Sequence, residues 1–339
     1  MPENLADLTT LRLGGPAKRV VSATTTDQLV ELVRDADRAG EPVLVVGGGS
    51  NLVVSDQGWA GVVVQIRSER IDVRTLDNSV TVVADAGVVW DDLVAMSVDR
   101  QWSGLAAMSG IPGRAGATPI QNVGAYGSEV AEVLVGVKVL DRQTGEVQTW
   151  PPERCGFGFR TSAFKHTDRY VVLEVAFELV RSPDAPPIRY LELARRLGVD
   201  PGGAAPSKDV REVVLELRRS KGMVLNSHDH DTWSAGSFFV NPFVAAELVP
   251  PGCPHWEVDG RLKLPAGWLI ENAGFGKGYG LQRGRGTVAV STKHSLALTN
   301  RGGATTAELL DLAREIRDGV EARFGIRLRP EAHLVGVEL

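Results

Sequence analysis

The sequence predicts an α+β protein built from more than one packed unit, on three observations. At 339 residues the chain is longer than a single hydrophobic core usually fills. Short β-branched runs such as VLVVGG (43–48), GVVVQI (61–66) and YVVLEVAFELV (170–180) are cut by glycine and other turn residues, which marks strands. Stretches such as TTTDQLVELVRDADRAG and TTAELLDLAREIRDGVEARFG carry apolar residues at helical spacing instead.

Taken in order, Leu29, Leu32, Val33 and Ala36 share one helical face, and Thr25 with Gln28 offers a capping box at its start. The runs at 43–48, 51–55 and 61–66 follow as strands, so residues 1–70 read as a first α/β unit. A second unit, 71–222, opens with a strand in SVTVVADAG (79–87) and a helix in WDDLVAMSVDRQW (90–102), where Leu93, Met96 and Val98 supply the apolar face. After a glycine-rich segment come strands in VLVGVKVLDR (133–142), EVQTWP (146–151) and YVVLEVAFELV. Pro-bearing SPDAPPIRY and PGGAAPS flank a short helix from Tyr190 to Leu197, and a second helix runs from about Lys208 to Arg219. A third unit, 223–325, holds the strand TVAVST and the long helix TTAELLDLAREIRDGVEARFG, and a segment, 326–339, closes the chain. No fixed-period repeat is present.

A net charge of -5 creates no field that would hold a phosphate polymer or an anionic membrane, so neither nucleic acid nor a membrane surface is expected as a partner. The start, MPENLADLTTLRLGG, lacks the basic and apolar regions of an export signal, and a cytoplasmic, monomeric protein is expected. Cys155 and Cys253 stand far apart and outside any C-x-x-C spacing, which predicts free thiols and no metal site.

Two glycine loops carry the first chemical signal. VLVVGGGSNLVVSD differs from both the G-x-G-x-x-G and the Walker patterns, yet Gly47, Gly48, Gly49, Ser50 and Asn51 can present consecutive backbone N–H groups to an anion. An ordinary hairpin loop is the alternative for GGGSN alone. SGIPGRAGATPIQNVGAYG (109–127) is longer, and adds Ser109, Thr118, Gln121 and Asn122 as hydrogen-bonding side chains. Two such loops can close on the two phosphates of one dinucleotide, which suits FAD better than FMN.

This pairing resembles the FAD-binding domain of the vanillyl-alcohol-oxidase type. IPG…PIQNVGAYG in particular is similar to the UDP-N-acetylenolpyruvoylglucosamine reductase family, as are CGFGFRTSAFK (155–165), LRRSKG (217–222), AGSFFVNP (235–242), PAGWLIENAGFGKGYG (265–280) and RPEAHLVG (329–336) in that order. The resemblance runs end to end. It implies two FAD-binding α/β subdomains (1–70 and 71–222), a C-terminal α+β substrate domain (223–325), and a final segment (326–339) returning to the FAD-binding region. It also implies non-covalent FAD, NADPH as co-substrate, and reduction of UDP-N-acetylglucosamine enolpyruvate.

By that resemblance Gly47 to Asn51 and Gly113, Gly116, Ala117, Thr118, Asn122 and Gly124 hold the flavin. By the same resemblance Arg160, Ser237 and Glu331 are the expected catalytic residues. Hydride addition to an enolpyruvyl β-carbon pushes negative charge into the α-carbon and its carboxylate, and a planar guanidinium such as Arg160 can hold a carboxylate by a bidentate fork. Ser237 matches the family's proton donor, and Glu331 its third catalytic residue. Lys221 and Asn241 match substrate-diphosphate positions, Arg218 another active-site position, Tyr126 a position near the flavin and substrate, and Tyr190 the tyrosine of a substrate-covering insertion. Two positions depart from the pattern: Phe159 stands where tyrosine is common, and Val240 where lysine is common. The alternatives are a flavin oxidase or dehydrogenase of the same fold acting on another substrate, and a non-catalytic nucleotide-binding protein.

Overall fold

The computed structural model describes residues 3–258 and 260–339; Met1 and Pro2 of the expected cytoplasmic start, and Asp259, lie outside it. The chain divides into two compact units. One, the central unit, comprises Lys18–Gly48 and Ala60–Arg219, and the other, the C-terminal unit, comprises the described residues of Met1–Ala17, Gly49–Trp59 and Ser220–Leu339.

In the central unit the helix Thr26–Arg38 starts where its cap predicts, with the Thr25 hydroxyl accepting from the Gln28 N–H at 3.2 Å. The Gln28 side chain reaches back to the N–H of Thr24 (2.9 Å), one residue earlier than a capping box requires. Its apolar face buries Leu29, Val33 and Ala36 in a cluster with Val62 and Val64. Val62 and Val64 belong to the strand Trp59–Ile66, central between Ala17–Ala23 and Val43–Val46. Val43–Val46 runs parallel to Trp59–Ile66, with Val43 opposite Val62. GGGSN is therefore no hairpin turn: the strand before it pairs with Trp59–Ile66, and the strand after it, Leu52–Val54, pairs with His333–Val335.

The larger sheet of this unit is antiparallel, in the order Glu146–Trp150, Leu134–Asp141, Tyr170–Arg181, Ser79–Asp85, Ile71–Thr75, with the short strand Trp102–Ser103 also on Tyr170–Arg181. The alternation read in YVVLEVAFELV is real: Val175, Phe177 and Leu179 are buried while Glu178 is exposed. Helix Trp90–Asp99 covers this sheet through Trp90, Leu93 and Val94, with the Trp90 ring 5.8 Å from that of Phe177. Helices Leu191–Leu197 and Ser207–Ser220 share a separate small core of Leu193, Val210, Val214 and Leu217.

The C-terminal unit is organised by helix Thr306–Phe324, whose start is a full capping box between Thr305 and Glu308 and whose end is Gly325 at φ +69°. It buries Leu309, Leu310, Ala313, Ile316 and Val320 in one core with Phe238, Phe239 and Leu269. Leu269 lies on helix Ala266–Asn272, which the glycine- and proline-bearing segment PAGWLIEN does not announce. Small antiparallel pairings complete the unit: Phe243–Val244 and Trp256–Val258 flank Arg261–Lys263, and Val288–Val290 pairs with Leu298–Asn300. Among the described residues no helix is long and apolar enough to cross a membrane. Nor do any three His, Cys, Asp or Glu residues gather as a metal site among them.

Candidate active site

Gly47 and Gly48 leave the end of Val43–Val46 and meet the second glycine loop backbone to backbone. A β-carbon on Gly48 would lie 2.7 Å from the Gly113 α-carbon, and one on Gly47 3.3 Å from the Arg114 side chain. The second loop is itself pinned along residues 86–90: Trp90 N–H donates to the Gly113 carbonyl (3.1 Å), Ala115 N–H to Val88 (2.8 Å) and Gly116 N–H to Ala86 (3.0 Å). A β-carbon on Gly116 would fall 2.4 Å from that of Ala86, so only glycine permits this approach. Arg114 donates to the Gly87 carbonyl (2.9 Å), and the buried Thr118 hydroxyl donates to Ala115 (2.7 Å) in the turn that carries Ala117. Loops that touch only because they lack β-carbons form a cradle of main chain, which fits the N–H donors a dinucleotide diphosphate needs. Main chain at Gly47, Gly48 and Gly113 is thus compatible with the expected FAD cradle, while the N–H groups of Gly116, Ala117 and Thr118 are donated within the protein.

Downstream, Gly124–Ala125 pairs with Ser128–Glu129, and Gly124 stands opposite Glu129. A β-carbon on Gly124 would lie 2.6 Å from the Ser128 carbonyl and 3.1 Å from the Arg160 guanidinium. Arg160 donates to the carbonyls of Asn122 (3.2 Å) and Gly124 (2.5 Å), stands over the Phe159 ring at 5.2 Å, and lies 3.6 Å from the Glu129 carboxylate. Phe159, lacking a hydroxyl, thus contributes a ring face to the arginine. The Asn122 side chain is engaged within the protein, donating to Glu129 (2.8 Å) and Gly158 (3.3 Å) and accepting from Ala131 N–H (3.0 Å). Asn122, Tyr126 and Arg160 all hold positive φ (43°, 51° and 53°), a strained conformation for residues with side chains. The Tyr126 ring meets that of Tyr190 edge-on at 5.4 Å, and Tyr190, at the start of helix Leu191–Leu197, is exposed.

Arg218, near the end of helix Ser207–Ser220, is half-buried, and burial pulls its pKa below the usual arginine value against the opposing influence of Tyr126 and Asp91. Asp91 takes a bidentate grip from Arg211 (2.7 and 3.0 Å) and a bond from Gly110 N–H (2.6 Å). Burial alone would raise the Asp91 pKa; these hydrogen bonds outweigh it and hold the carboxyl below its usual range. Asp91, Arg211 and Glu129 carry no motif signal in the sequence. The only available clue is that Glu129 lies two residues beyond the YG of NVGAYG, at hairpin spacing.

In the C-terminal unit Gly49, at φ +59°, is packed so tightly that a β-carbon would reach the Leu8 carbonyl, and Thr10 N–H donates to the Gly49 carbonyl (3.1 Å). After Ser50, the Asn51 carbonyl accepts from His333 N–H (2.9 Å) and the Asn51 amide donates to the Glu331 carbonyl (3.4 Å). Leu52–Val54 then continues this register parallel to His333–Val335. On its other side the same segment meets the serine motif: Glu331 N–H donates to the Phe238 carbonyl (2.8 Å), Val240 N–H to Arg329 (3.0 Å), and Phe239 bridges Pro330. Ser237 is half-buried, preceded by Gly236 at φ +72° and followed by the buried Phe238 and Phe239. Its hydroxyl makes no hydrogen bond to another described residue. Asn241 Oδ1 accepts from Ala266 N–H (2.9 Å) and so caps helix Ala266–Asn272. Lys221 is half-buried beside Gly222, which takes φ +65° against the Asp231 carbonyl. The structure thus joins Asn51, Glu331 and Phe238, the residue after Ser237, by backbone and side-chain hydrogen bonds in this unit, while Arg160, Asn122, Tyr126, Tyr190 and Arg218 belong to the other.

Residues 228–335 match the family described as the C-terminal domain of UDP-N-acetylenolpyruvoylglucosamine reductase, and residues 17–150 match an FAD-binding domain. The UDP-N-acetylenolpyruvoylglucosamine reductase of Thermobifida fusca is 54% identical, over 99% of this chain and 97% of that protein. The enzyme of the same name from Salinispora arenicola is 52% identical, over 99% and 95%. A crystal structure of UDP-N-acetylenolpyruvylglucosamine reductase from Thermus caldophilus shares the fold, with a TM-score of 0.69 at 24% identity over 99% of this chain and 98% of that one. On the strength of that identity across its whole length, the chain belongs to the UDP-N-acetylenolpyruvoylglucosamine reductase family.

Proposed function

We propose that this chain reduces UDP-N-acetylglucosamine enolpyruvate to UDP-N-acetylmuramate for peptidoglycan synthesis, as a cytoplasmic monomer using NADPH and non-covalent FAD. The enzyme is an FAD-dependent oxidoreductase acting on a small-molecule substrate. The observation that carries the reading is identity above half with reductases of this name over nearly the full chain.

When bound, FAD supplies the hydride, drawn from NADPH, that adds to the enolpyruvyl β-carbon. Gly47, Gly48 and Gly113 would hold its diphosphate by main-chain N–H groups, and Gly116, whose own N–H is donated to Ala86, would line the cradle with Gly49, Ser50, Asn51, Ala117, Thr118 and Gly124. Asn122 keeps the second loop in shape through its own bonds to Glu129, Gly158 and Ala131. Arg160 binds the substrate carboxylate, and its charge stabilises the enolate-like state as negative charge grows there. The Ser237 hydroxyl gives its proton to the α-carbon and regains one from solvent, a contribution of about 10²–10⁴-fold for a positioned acid. Glu331 acts with it at the α-carbon. Support for that pairing is the Glu331 to Phe238 hydrogen bond, which puts the two residues on adjacent segments.

Lys221 and Asn241 bind the substrate diphosphate, Arg218 supports the same site, and Tyr190 with Tyr126 lies over the sugar. NADPH uses the diphosphate-binding residues in turn, before the enolpyruvyl sugar, since the sequence holds no separate G-x-G-x-x-G site for it. In this reading residues 1–70 and 71–222 serve FAD, 223–325 the substrate, and 326–339 delivers Glu331.

The test is anaerobic turnover by the purified yellow protein. One UDP-N-acetylmuramate per NADPH consumed is expected. A colourless protein, or NADPH oxidation that proceeds only with oxygen, would contradict the reading.

A further inference from the structure

We infer that Glu129 is a positioning residue that sets the Arg160 guanidinium for the substrate carboxylate; this rests on the reading of Arg160 given above. Glu129 shares its carboxylate between two other side chains and, as N-cap of the 3-10 turn Val130–Glu132, also accepts from the Glu132 N–H. One oxygen accepts from the Asn122 amide at 2.8 Å, and the other faces Arg160 at 3.6 Å. The amide is itself fixed, because its oxygen accepts from Ala131 N–H at 3.0 Å and leaves nitrogen as the only atom that can face the carboxylate. Backbone register fixes Glu129 as well, since it stands opposite Gly124 in the hairpin.

Arg160 is thereby held from three sides, by the carbonyls of Asn122 and Gly124 and by Glu129. The carbonyls alone define two points on a planar group at the end of a long, mobile side chain. The carboxylate adds a third point and the only opposite charge in this set. Asn122 and Arg160 both sit at strained positive φ in separate segments, and the Glu129 side chain addresses both. Arg160 and Glu129 retain 21% and 37% side-chain exposure, so the ion pair adds little to folding and its removal leaves the protein intact. Its effect is pre-organisation, which lowers the ordering that substrate must otherwise impose on the guanidinium.

The experiment is a double-mutant cycle in the FAD-loaded enzyme, with Glu129→Gln, Arg160→Lys and the double variant. Binding of UDP-N-acetylglucosamine enolpyruvate to the oxidised enzyme is measured by calorimetry, and flavin reduction by NADPH and melting temperature are measured alongside. Glutamine keeps an acceptor for Asn122 and removes the charge facing Arg160. Substrate binding is expected to weaken about tenfold in Glu129→Gln, with NADPH reduction and melting unchanged. In the Arg160→Lys background the same change should add no more than about twofold. An equal loss in both backgrounds, unchanged binding, or a parallel loss of NADPH reduction overturns the role of Glu129. If Arg160→Lys itself binds substrate normally, the carboxylate reading of Arg160 falls, and the proposal falls with it.

Discussion

The Glu331 N–H donates to the carbonyl of Phe238 at 2.8 Å, which fixes Glu331 one residue along from Ser237 on a neighbouring segment. The ladder continues through His333 to Asn51, at the end of the GGGSN loop. Ser237 and Glu331 are thus set on neighbouring segments by main-chain bonds, with the buried Phe238 and Phe239 following Ser237. In the proposed roles of proton donor and third catalytic group they would need little reorganisation when substrate arrives.

Asn241 separates capping from binding. Asn241→Asp keeps an oxygen for Ala266 N–H and so keeps the helix cap. On the proposed role of Asn241 in holding the substrate diphosphate, it also removes the amide donors and adds a repelling negative charge there. KM for the enolpyruvyl sugar should rise roughly ten- to hundredfold, the loss of one bond to a charged group, with melting unchanged. Asn241→Ala should instead lose about 1 kcal/mol of stability. An unchanged KM in Asn241→Asp would reduce Asn241 to a cap.

Gly48→Ala places a β-carbon 2.7 Å from the Gly113 α-carbon, backbone against backbone, so the two glycine loops must part. Destabilisation of about 1–3 kcal/mol and a lower flavin content after purification are expected. Gly276→Ala, where nothing lies within 4 Å, is the control and should retain its flavin. Equal flavin content in both variants would show that the loops do not depend on this approach.

Asp231 is buried, accepting from Thr292 N–H (2.8 Å), the Thr292 hydroxyl (2.6 Å) and Arg301 (2.7 Å). Burial would raise its pKa, but the Thr292 and Ser291 bonds and the Arg301 charge outweigh this and hold the carboxyl below its usual range. With the folded pKa below the unfolded one, its stabilisation is present above pH of about 4 and is lost as pH falls through the folded value. Asp231→Asn should cost about 2–3 kcal/mol in urea denaturation near neutrality. That difference should shrink below pH of about 4; one that stays constant into acid contradicts the assignment.

Both cysteines are free and buried, and burial pushes the Cys155 thiol up to about 11. At neutral pH the thiolate that reacts with alkylating agents is therefore scarce. Folded protein should resist iodoacetamide and react at Cys155 and Cys253 only in denaturant. Fast labelling of Cys155 in the native enzyme would show that this core opens.

Much of the fold is legible locally. Alternation in YVVLEVAFELV and the caps at Thr25 and Thr305 mark their elements because the signals are side-chain burial and N–H satisfaction over a few residues. Strands of two or three residues, such as Phe243–Val244 and Arg261–Lys263, are too short for a period to register, and helix Ala266–Asn272 is hidden by flanking glycine and proline. Motifs single out Ser237 and Glu331 one at a time. Their connection depends on the antiparallel contact of residues 238–240 with 329–331, between distant parts of the sequence, which no local pattern encodes. Glu129 escapes for the same reason, since its meaning comes from Asn122 and Arg160 in other segments.

The central claim is that Ser237 supplies the proton to the α-carbon, and stopped-flow spectroscopy of Ser237→Ala tests it most directly. NADPH should bleach the flavin at the wild-type rate, while reoxidation by UDP-N-acetylglucosamine enolpyruvate slows by about 10²–10⁴-fold. Wild-type reoxidation, or an equal loss of both half-reactions, would contradict the account.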